Sequence, residues 1–385
     1  MAESGKRARR GRGATLVLLG VLLAGAAAAG GYLWLKRLYA APGPGASVVR
    51  IEIGAGSSVR AVLAQLQAAG SVSNARAVAW YLRLSGLRPR VQAGTYEIPP
   101  GASPAEILEM LEQGRVVLEQ LTVVEGATFA DFVQLLAQHP AVAHTLAGKS
   151  ASEIMSLLGH AGEPAEGEFF PDTYRFAANT TDAAILAMAY DSMQHALAAA
   201  WRARRANLPF DTPYQALVLA SMVEKEAALK SERALIAGVF VNRLRLGMRL
   251  QSDPTVIYGL GTDYDGTIHT RDLQRDTPYN TYTREGLPPT PIALPGRESL
   301  LAAAQPADTP ALYFVATGLG DGAHHFSSTL EEHNSAVQTY LVRLRSQPHG
   351  PGVRPAPAGT GVAAAAADEP APAHVPPAPS GGHRP

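Results

Sequence analysis

The chain contains no cysteine. This absence excludes disulfide bridges, cysteine-ligated metal, a thiol nucleophile and lipidation at an N-terminal cysteine. It does not assign a redox compartment, because a chain without cysteine tolerates any. Net charge is absent as well, since 33 basic and 33 acidic residues balance. No global field therefore favours nucleic acid or an anionic surface as a partner.

A long uncharged run lies near the N-terminus, at residues 14–35. Its 22 residues, at the rise of an α-helix, are enough to span the core of a bilayer. Basic residues between Lys6 and Arg12 precede it, and this predicts a cytoplasmic N-terminus with the rest exported. Tyr32 and Trp34 lie where an interfacial aromatic belt would be.

A cleaved signal peptide is the alternative interpretation of this run. Residues 16–23 would form its apolar segment, and Ala24-Gly25-Ala26 would supply small residues for cleavage. The uncharged run continues well past that site. The sequence therefore favours a retained membrane anchor over a cleaved signal.

A strand–turn–helix pattern recurs three times after a Pro/Gly-rich linker at residues 36–47. The copies begin near residues 51, 96 and 121, and each has a glycine turn followed by a Ser or Thr N-cap. Another helix is predicted at residues 75–84. Residues 48–140 thus predict one or two βααβ units, which resemble LysM modules that bind N-acetylated glycan. A scaffold of repeats without a ligand is the open alternative.

Two polar segments farther on could line a cleft. Residues 166–174 combine aromatic and acidic side chains, which suit sugar binding, although a turn that anchors the core is the favoured interpretation. Residues 279–296 form a polar–aromatic strip followed by a proline-rich loop, either a cleft wall or a structural loop. The neighbouring histidines at 324 and 325 do not predict a metal site, because they face opposite sides of a strand.

The central stretch at residues 214–229 predicts a helix that carries two carboxylates in an apolar pattern. At 100° per residue, Glu224 and Glu226 lie roughly 200° apart and cannot form a carboxylate pair on one face. Glu226 follows Met222 and Val223, so burial should raise its pKa, as a general acid requires. A structural carboxylate held by an arginine such as residue 233 or 243 is the alternative. A second helix is predicted at residues 231–246, followed by an extended or turn-like segment around Asp253.

The sequence resembles the endolytic murein transglycosylase family (MltG, YceG-like). The resemblance is carried by LASMVEKE at residues 219–226, SER at 231–233, VFVNRL at 239–244 and MRLQSDPTVIYG at 248–259. It continues through YNTY at 279–282, GLPP at 286–289 and the segments around residues 292–296, 313–315 and 325–326. Valine at 223 replaces the family's usual isoleucine. The match extends from the anchor to about residue 345.

The resemblance implies a lytic transglycosylase, a lyase that cleaves the β-1,4 bond between N-acetylmuramic acid and N-acetylglucosamine in nascent peptidoglycan. It implies a 1,6-anhydromuramic product, and it maps the catalytic acid/base onto Glu226. Within the matched motifs, chemistry suggests substrate contacts from five residues: Glu224, Gln251, Asp253, Asn280 and Tyr282. No cofactor, metal or nucleic acid is implied. The expected partners are glycan strands, the bilayer and cell-wall synthases.

The predicted fold class is α+β. It combines a cytoplasmic basic segment (1–13), a transmembrane helix (14–35), a linker (36–47), a small LysM-like domain (48–140), a mixed α/β catalytic domain (141–346) and a disordered Pro/Ala-rich tail (347–385). The catalytic domain would lie outside the inner membrane of a bacterium. Two other functions stay open: a two-carboxylate hydrolase that uses Glu226 with Asp253, and a membrane-anchored wall-binding protein without catalysis.

Overall fold

A computed structural model describes the backbone of residues 4–346 and the side chains of residues 18–346. The tail at residues 347–385, for which the sequence predicts disorder, lies outside the described residues. The described chain is a mixture of helices and short strands, as the predicted α+β class requires.

The helices are, in chain order, α1 (Ser4–Ala40), α2 (Val59–Ala68), α3 (Ala75–Ser85), α4 (Pro104–Glu112), α5 (Phe129–Gln138), α6 (Ala151–Leu157), α7 (Asp182–Arg202), α8 (Pro213–Glu226), α9 (Arg233–Arg245), α10 (Asp253–Leu260), α11 (Thr270–Gln274), α12 (Arg297–Ala304) and α13 (Leu330–Ser346). The strands are β1 (Val49–Ile53), β2 (Gly94–Ile98), β3 (Leu118–Thr122), β4 (Val142–Ala143), β5 (Thr173–Ala177), β6 (Thr180–Thr181), β7 (Tyr313–Ala316) and β8 (His324–Ser327). They pair two by two, as β1–β2, β3–β5, β4–β6 and β7–β8.

The described chain divides into two compact units. The first contains residues 4–120 and two short segments from later in the chain, Ala141–Ala143 and Arg175–Thr180. The second contains residues 121–140, 144–174 and 181–346. The predicted domain boundary at residue 140 differs from this division, because α5 belongs to the second unit. Its Phe129 and Phe132 pack there on Phe169, with ring centroids 4.9 and 6.3 Å apart.

The first unit contains the predicted βααβ order. β1 and β2 are antiparallel, with Val49 opposite Ile98 and Ile53 opposite Gly94. The predicted N-caps are confirmed, since Ser58 accepts from a backbone N–H of α2 and Ser103 forms a capping box with Glu106. The buried faces of both strands and of α2, α3 and α4 share one apolar core.

Helix α1 belongs to the first unit and includes an apolar span, Leu18–Ala40, long enough to cross a membrane. The span is compatible with either a membrane anchor or a signal sequence. It includes Lys36 and Arg37 near its end. A basic pair at that position fits the headgroup level of a bilayer, since long basic side chains reach from a helix end into the interface.

The second unit has a helical core centred on α8. All but two of the residues from 216 to 226 are buried, and α7, α9, α10 and α12 pack around this helix. The predicted hairpin is confirmed, with Tyr313 opposite Ser327 and Ala316 opposite His324. Helix α13 packs against this hairpin. The aromatic segment at 166–174 is a core turn, because Phe169 and Phe170 are both buried.

Two predicted element boundaries near the centre of the chain are wrong. The helix expected to run to residue 229 ends at Glu226, because Ala227 is extended with ψ at 102°. A short 3-10 turn, Lys230–Glu232, then leads into α9. The segment around Asp253 is helical from that residue onward, with Pro254 in the first turn, where its missing N–H costs nothing.

Replacing Gly238 by alanine should destabilise the second unit. A Cβ at this position of α9 would lie 2.7 Å from the carbonyl oxygen of Ala307 and 2.8 Å from Cγ2 of Thr309. The close approach should cost about 1–3 kcal/mol, more than the roughly 1 kcal/mol that alanine gains in helix propensity. Denaturant unfolding measures the difference. Unchanged or increased stability would contradict the close approach.

Candidate active site

The two carboxylates of α8 have different environments, as their predicted separation around the helix requires. Glu224 is buried in an ion pair, with its Oε1 2.6 Å from Nη2 of Arg233. Its Oε2 accepts a hydrogen bond of 2.9 Å from the backbone N–H of Gly296. Arg233 also lies 3.4 Å from Glu125 and from Glu298. Glu224, which the sequence predicted as a substrate contact, therefore ties α8 to α9 and to the start of α12.

Glu226 is the last residue of α8 and is 3% exposed. The hydroxyl of Ser252 donates a hydrogen bond of 2.5 Å to its Oε1. Its Oε2 accepts no hydrogen bond from any residue in the described part of the chain. Arg233, one of the two arginines considered as its partner, pairs with Glu224 instead. The second oxygen of Glu226 is thus buried without a partner among the described residues.

The surroundings of Glu226 favour the protonated carboxyl group. Burial raises its pKa to about 8, the charge of Asp253 adds to the rise, and the Ser252 hydrogen bond opposes it. The helix C-terminus also disfavours a negative charge, because the last carbonyl groups carry partial negative charge. A carboxyl group that holds its proton near neutral pH can act as a general acid.

A kinked segment after α9 places Ser252 against Glu226. Gln251 has a φ of 50°, which is uncommon for a residue with a side chain, and its N–H donates to the carbonyl oxygen of Thr281. The N–H of Ser252 donates to Oγ1 of Thr281 over 2.9 Å. Thr255 completes this network, with its hydroxyl 2.6 Å from the Ser252 carbonyl oxygen. The hydroxyl of Ser252 occupies an N-cap position but donates to Glu226 and does not cap α10.

Asp253 and Tyr282 meet beside this network. The phenol hydroxyl of Tyr282 donates a short hydrogen bond to Oδ1 of Asp253. Burial, together with the charge of Asp253 and its hydrogen bond, raises the pKa of Tyr282 well above its usual range. The phenol therefore stays protonated and remains a hydrogen-bond donor. These two predicted site residues lie near Glu226, since the charge of Asp253 raises the pKa of Glu226 and the charge of Glu226 raises the pKa of Tyr282.

The other three predicted substrate contacts make structural contacts: Glu224 in the ion pair described above, and Asn280 and Gln251 in hydrogen bonds to neighbouring loops. The amide of Asn280 donates to three backbone carbonyl oxygens, at residues 272, 273 and 275, and its Oδ1 accepts from the N–H of Tyr282. The Oε1 of Gln251 accepts from Nη1 of Arg243, a buried arginine that also donates to the carbonyl oxygens of Arg249 and Leu312. Both side chains shape the loops around Glu226 through these bonds.

The sequence analysis missed Ser252 and Thr281 as members of the site. Both occur inside motifs that it singled out, between or beside residues chosen for their charge. The segment around Asp253 was predicted as extended or turn-like, and no local pattern assigned a partner to the serine hydroxyl. Its actual partner lies 26 positions earlier in the chain, and only the tertiary fold reveals such a pair.

The chain belongs to the YceG-like family, whose model matches residues 51–339. It is similar to the endolytic murein transglycosylase of Bacillus subtilis, with 31% identity over 312 residues, covering 77% of this chain and 85% of the relative. The endolytic murein transglycosylase of Streptococcus pneumoniae is 27% identical over 326 residues, which cover 76% of this chain and 58% of that protein.

A crystal structure of a yceG-like protein from Listeria monocytogenes is also similar in sequence. Its identity to this chain is 30%, and the alignment covers 75% of this chain and 99% of that one, with a TM-score of 0.48.

Glu226→Gln should raise thermal stability more at pH 8 than at pH 5. The unfolded chain ionises this group near 4.5, whereas the folded chain holds the proton up to a pKa of about 8. The folded state therefore binds more protons in that window, and the stability of the native chain falls as pH rises through it. The amide does not titrate. Melting temperatures of both proteins at both pH values test this, and a difference independent of pH would contradict it.

Proposed function

We propose that this protein is a peptidoglycan lytic transglycosylase in which Glu226 is the only acid/base. The observation that carries the proposal is a buried carboxyl group with one oxygen held by Ser252 and the other without a partner among the described residues, an environment that raises its pKa. The relatives named endolytic murein transglycosylase support the substrate class. Glu226 lies within their shared region, inside the matched span 51–339.

The proposed reaction needs one carboxyl group and no water. The Glu226 carboxyl group donates its proton to the glycosidic oxygen as the bond from C1 of N-acetylmuramic acid breaks, and N-acetylglucosamine leaves with a free 4-hydroxyl. The Glu226 carboxylate then takes the proton of the muramic 6-hydroxyl, whose oxygen bonds to C1. The 1,6-anhydro ring closes, and the carboxyl group is protonated again for the next cycle.

Asp253 and Tyr282 would position the sugar next to Glu226. The negative charge of Asp253 also keeps the Glu226 proton in place, since a nearby like charge disfavours ionisation. Gln251 and Asn280 would act indirectly, by holding the loops that carry Ser252 and Tyr282. Glu224 would fix the end of α8 through Arg233.

A hydrolase that uses Glu226 with Asp253 is the second candidate. It is favoured by the proximity of the two carboxyl groups, because the charge of Asp253 acts on the pKa of Glu226. Retaining and inverting hydrolases both need such a second carboxylate. A hydrolase leaves reducing ends, and a transglycosylase leaves anhydro ends. Mass spectrometry of digested glycan strands therefore separates the two.

The proposed location is a bacterial plasma membrane, with α1 retained as a single anchor and both units on the outer side. The basic residues before the apolar span support this orientation. The first unit would be a LysM-like module, in accord with its βααβ order and its antiparallel β1–β2 pair. Glycan strands, and synthases that extend them, would be its partners.

Glu226→Gln should lower the rate of strand cleavage by about 100- to 10,000-fold, because glutamine cannot donate the required proton. The full chain in detergent, digesting purified glycan strands, provides the assay, and anhydro ends are counted by mass spectrometry. Glu168→Gln is the matched control, since Glu168 is also buried with a pKa raised by burial to about 7, and lies in the core turn. Full activity of the Glu226 variant would exclude the proposed acid/base.

The pH dependence of kcat/KM should fall on the basic side with a midpoint near 8, where Glu226 loses its proton. Asp253→Asn should move this midpoint to lower pH, because the charge that raises the pKa is removed. Ser252→Ala should move it to higher pH, because the hydrogen bond that lowers the pKa is lost. Initial rates across pH measure both shifts. Shifts in the same direction would contradict this assignment.

A further inference from the structure

Helix α3 of the first unit presents two large apolar side chains to solvent. Trp80 and Leu84 are each 58% exposed. Their spacing of four residues places them on one face of the helix, and Arg76 and Arg83 continue the same stripe. An exposed tryptophan and leucine on one face are typical of a surface that is covered in the functional protein.

The apolar span of α1 runs beside this face. The ring of Tyr81 contacts the rings of Tyr32 and Tyr39, with centroids 5.9 and 4.7 Å apart. Between the two helices lies an open, mainly apolar cavity of about 580 Å³. Trp80 and Leu84 line one side of it, and residues from Ala28 to Leu35 of α1 line the other.

Arginines surround the apolar centre of this surface. Arg60 of α2 and Arg76, Trp80 and Arg83 of α3 line a second cavity of about 710 Å³ between the two helices. None of these three arginines has an ion pair or hydrogen bond with another described residue. We call the surface formed by Arg60, Arg76, Trp80, Arg83 and Leu84 the basic–aromatic face.

We propose that the basic–aromatic face docks onto anionic phospholipids of the membrane that α1 spans, with an acyl chain filling the cavity between α1 and α3. The arginines would bind headgroup phosphates, and Trp80 would sit at the boundary between headgroups and acyl chains. The proposal rests on the anchor being retained, as proposed above. It gives the first unit a fixed position on the bilayer surface.

The level of the basic–aromatic face along α1 agrees with a position at the bilayer surface. Lys36 and Arg37 follow the uncharged run and mark the headgroup level. Ala28 lies eight residues earlier, hence about 12 Å deeper at the rise of an α-helix. The cavity lined by Ala28, Leu35 and Trp80 therefore spans the depth to which interfacial helices insert, about 5–10 Å.

Tryptophan fluorescence of the full chain in lipid nanodiscs tests the proposal. The chain has three tryptophans, at 34, 80 and 201. Trp34→Phe with Trp201→Phe leaves Trp80 as the only fluorophore, and Trp80→Phe with Trp201→Phe leaves Trp34. The nanodiscs contain anionic phosphatidylglycerol, and their lipids are brominated on the acyl chains at one of two depths, either near the headgroup or deep in the core.

Trp80 emission should fall by about two-fold with shallow bromine, and less with deep bromine, because an interfacial ring lies near the headgroups. Trp34 should be quenched as well, since it belongs to the anchor. Quenching of Trp34 without quenching of Trp80 would overturn the docking proposal and leave the anchor intact. Absence of quenching at both positions would contradict the insertion of α1 in the membrane, and the docking proposal would fail with it.

The second part of the experiment varies the charge of the lipids. Trp80 quenching should weaken in nanodiscs made only of zwitterionic phosphatidylcholine, and also in the Arg76→Glu and Arg83→Glu double variant. Arg50→Glu is the control, because Arg50 is exposed but lies on β1, where it pairs with Glu97. It should leave Trp80 quenching unchanged. Equal quenching in both lipid compositions would overturn the role assigned to the arginines.

Discussion

A carboxyl group removed from water must be either paired or protonated, and the arrangement of this site follows from that constraint. Helix α8 buries one carboxyl group of each kind. Glu224 pairs with Arg233 and fixes the position of the helix end. Glu226, two residues later, has no cationic partner among the described residues, and burial raises its pKa while a hydroxyl binds one oxygen. The first acid makes structural contacts, and the second is the acid/base of the proposed reaction.

Much of this distinction could be predicted from the sequence, because a helix fixes the angle between neighbouring residues. The separation of Glu224 and Glu226 around the axis depends only on the 100° step. The predicted N-caps and the hairpin followed equally local rules. The end of α8 did not, since residues 227–229 continue the apolar pattern although Ala227 and Leu229 are extended.

The hydrogen-bond partner of Glu226 could not be predicted without knowledge of the tertiary fold. Ser252 precedes α10, where a serine hydroxyl commonly caps a helix, but its hydroxyl donates to the distant Glu226, a pairing that sequence spacing does not indicate. The basic–aromatic face was hidden for a different reason. A total charge of zero does not show where the charges lie. Helices α2 and α3 bring three arginines without ion-pair partners among the described residues onto one surface.

The central claim is that one carboxyl group does the work of both acid and base, with the sugar's own hydroxyl as the nucleophile. Digestion of glycan strands in water enriched in heavy oxygen tests it most directly. We predict new muramic ends that are anhydro and carry no heavy oxygen, because water takes no part in the reaction. Reducing ends that carry heavy oxygen at C1 would contradict the claim and would favour hydrolysis assisted by Asp253.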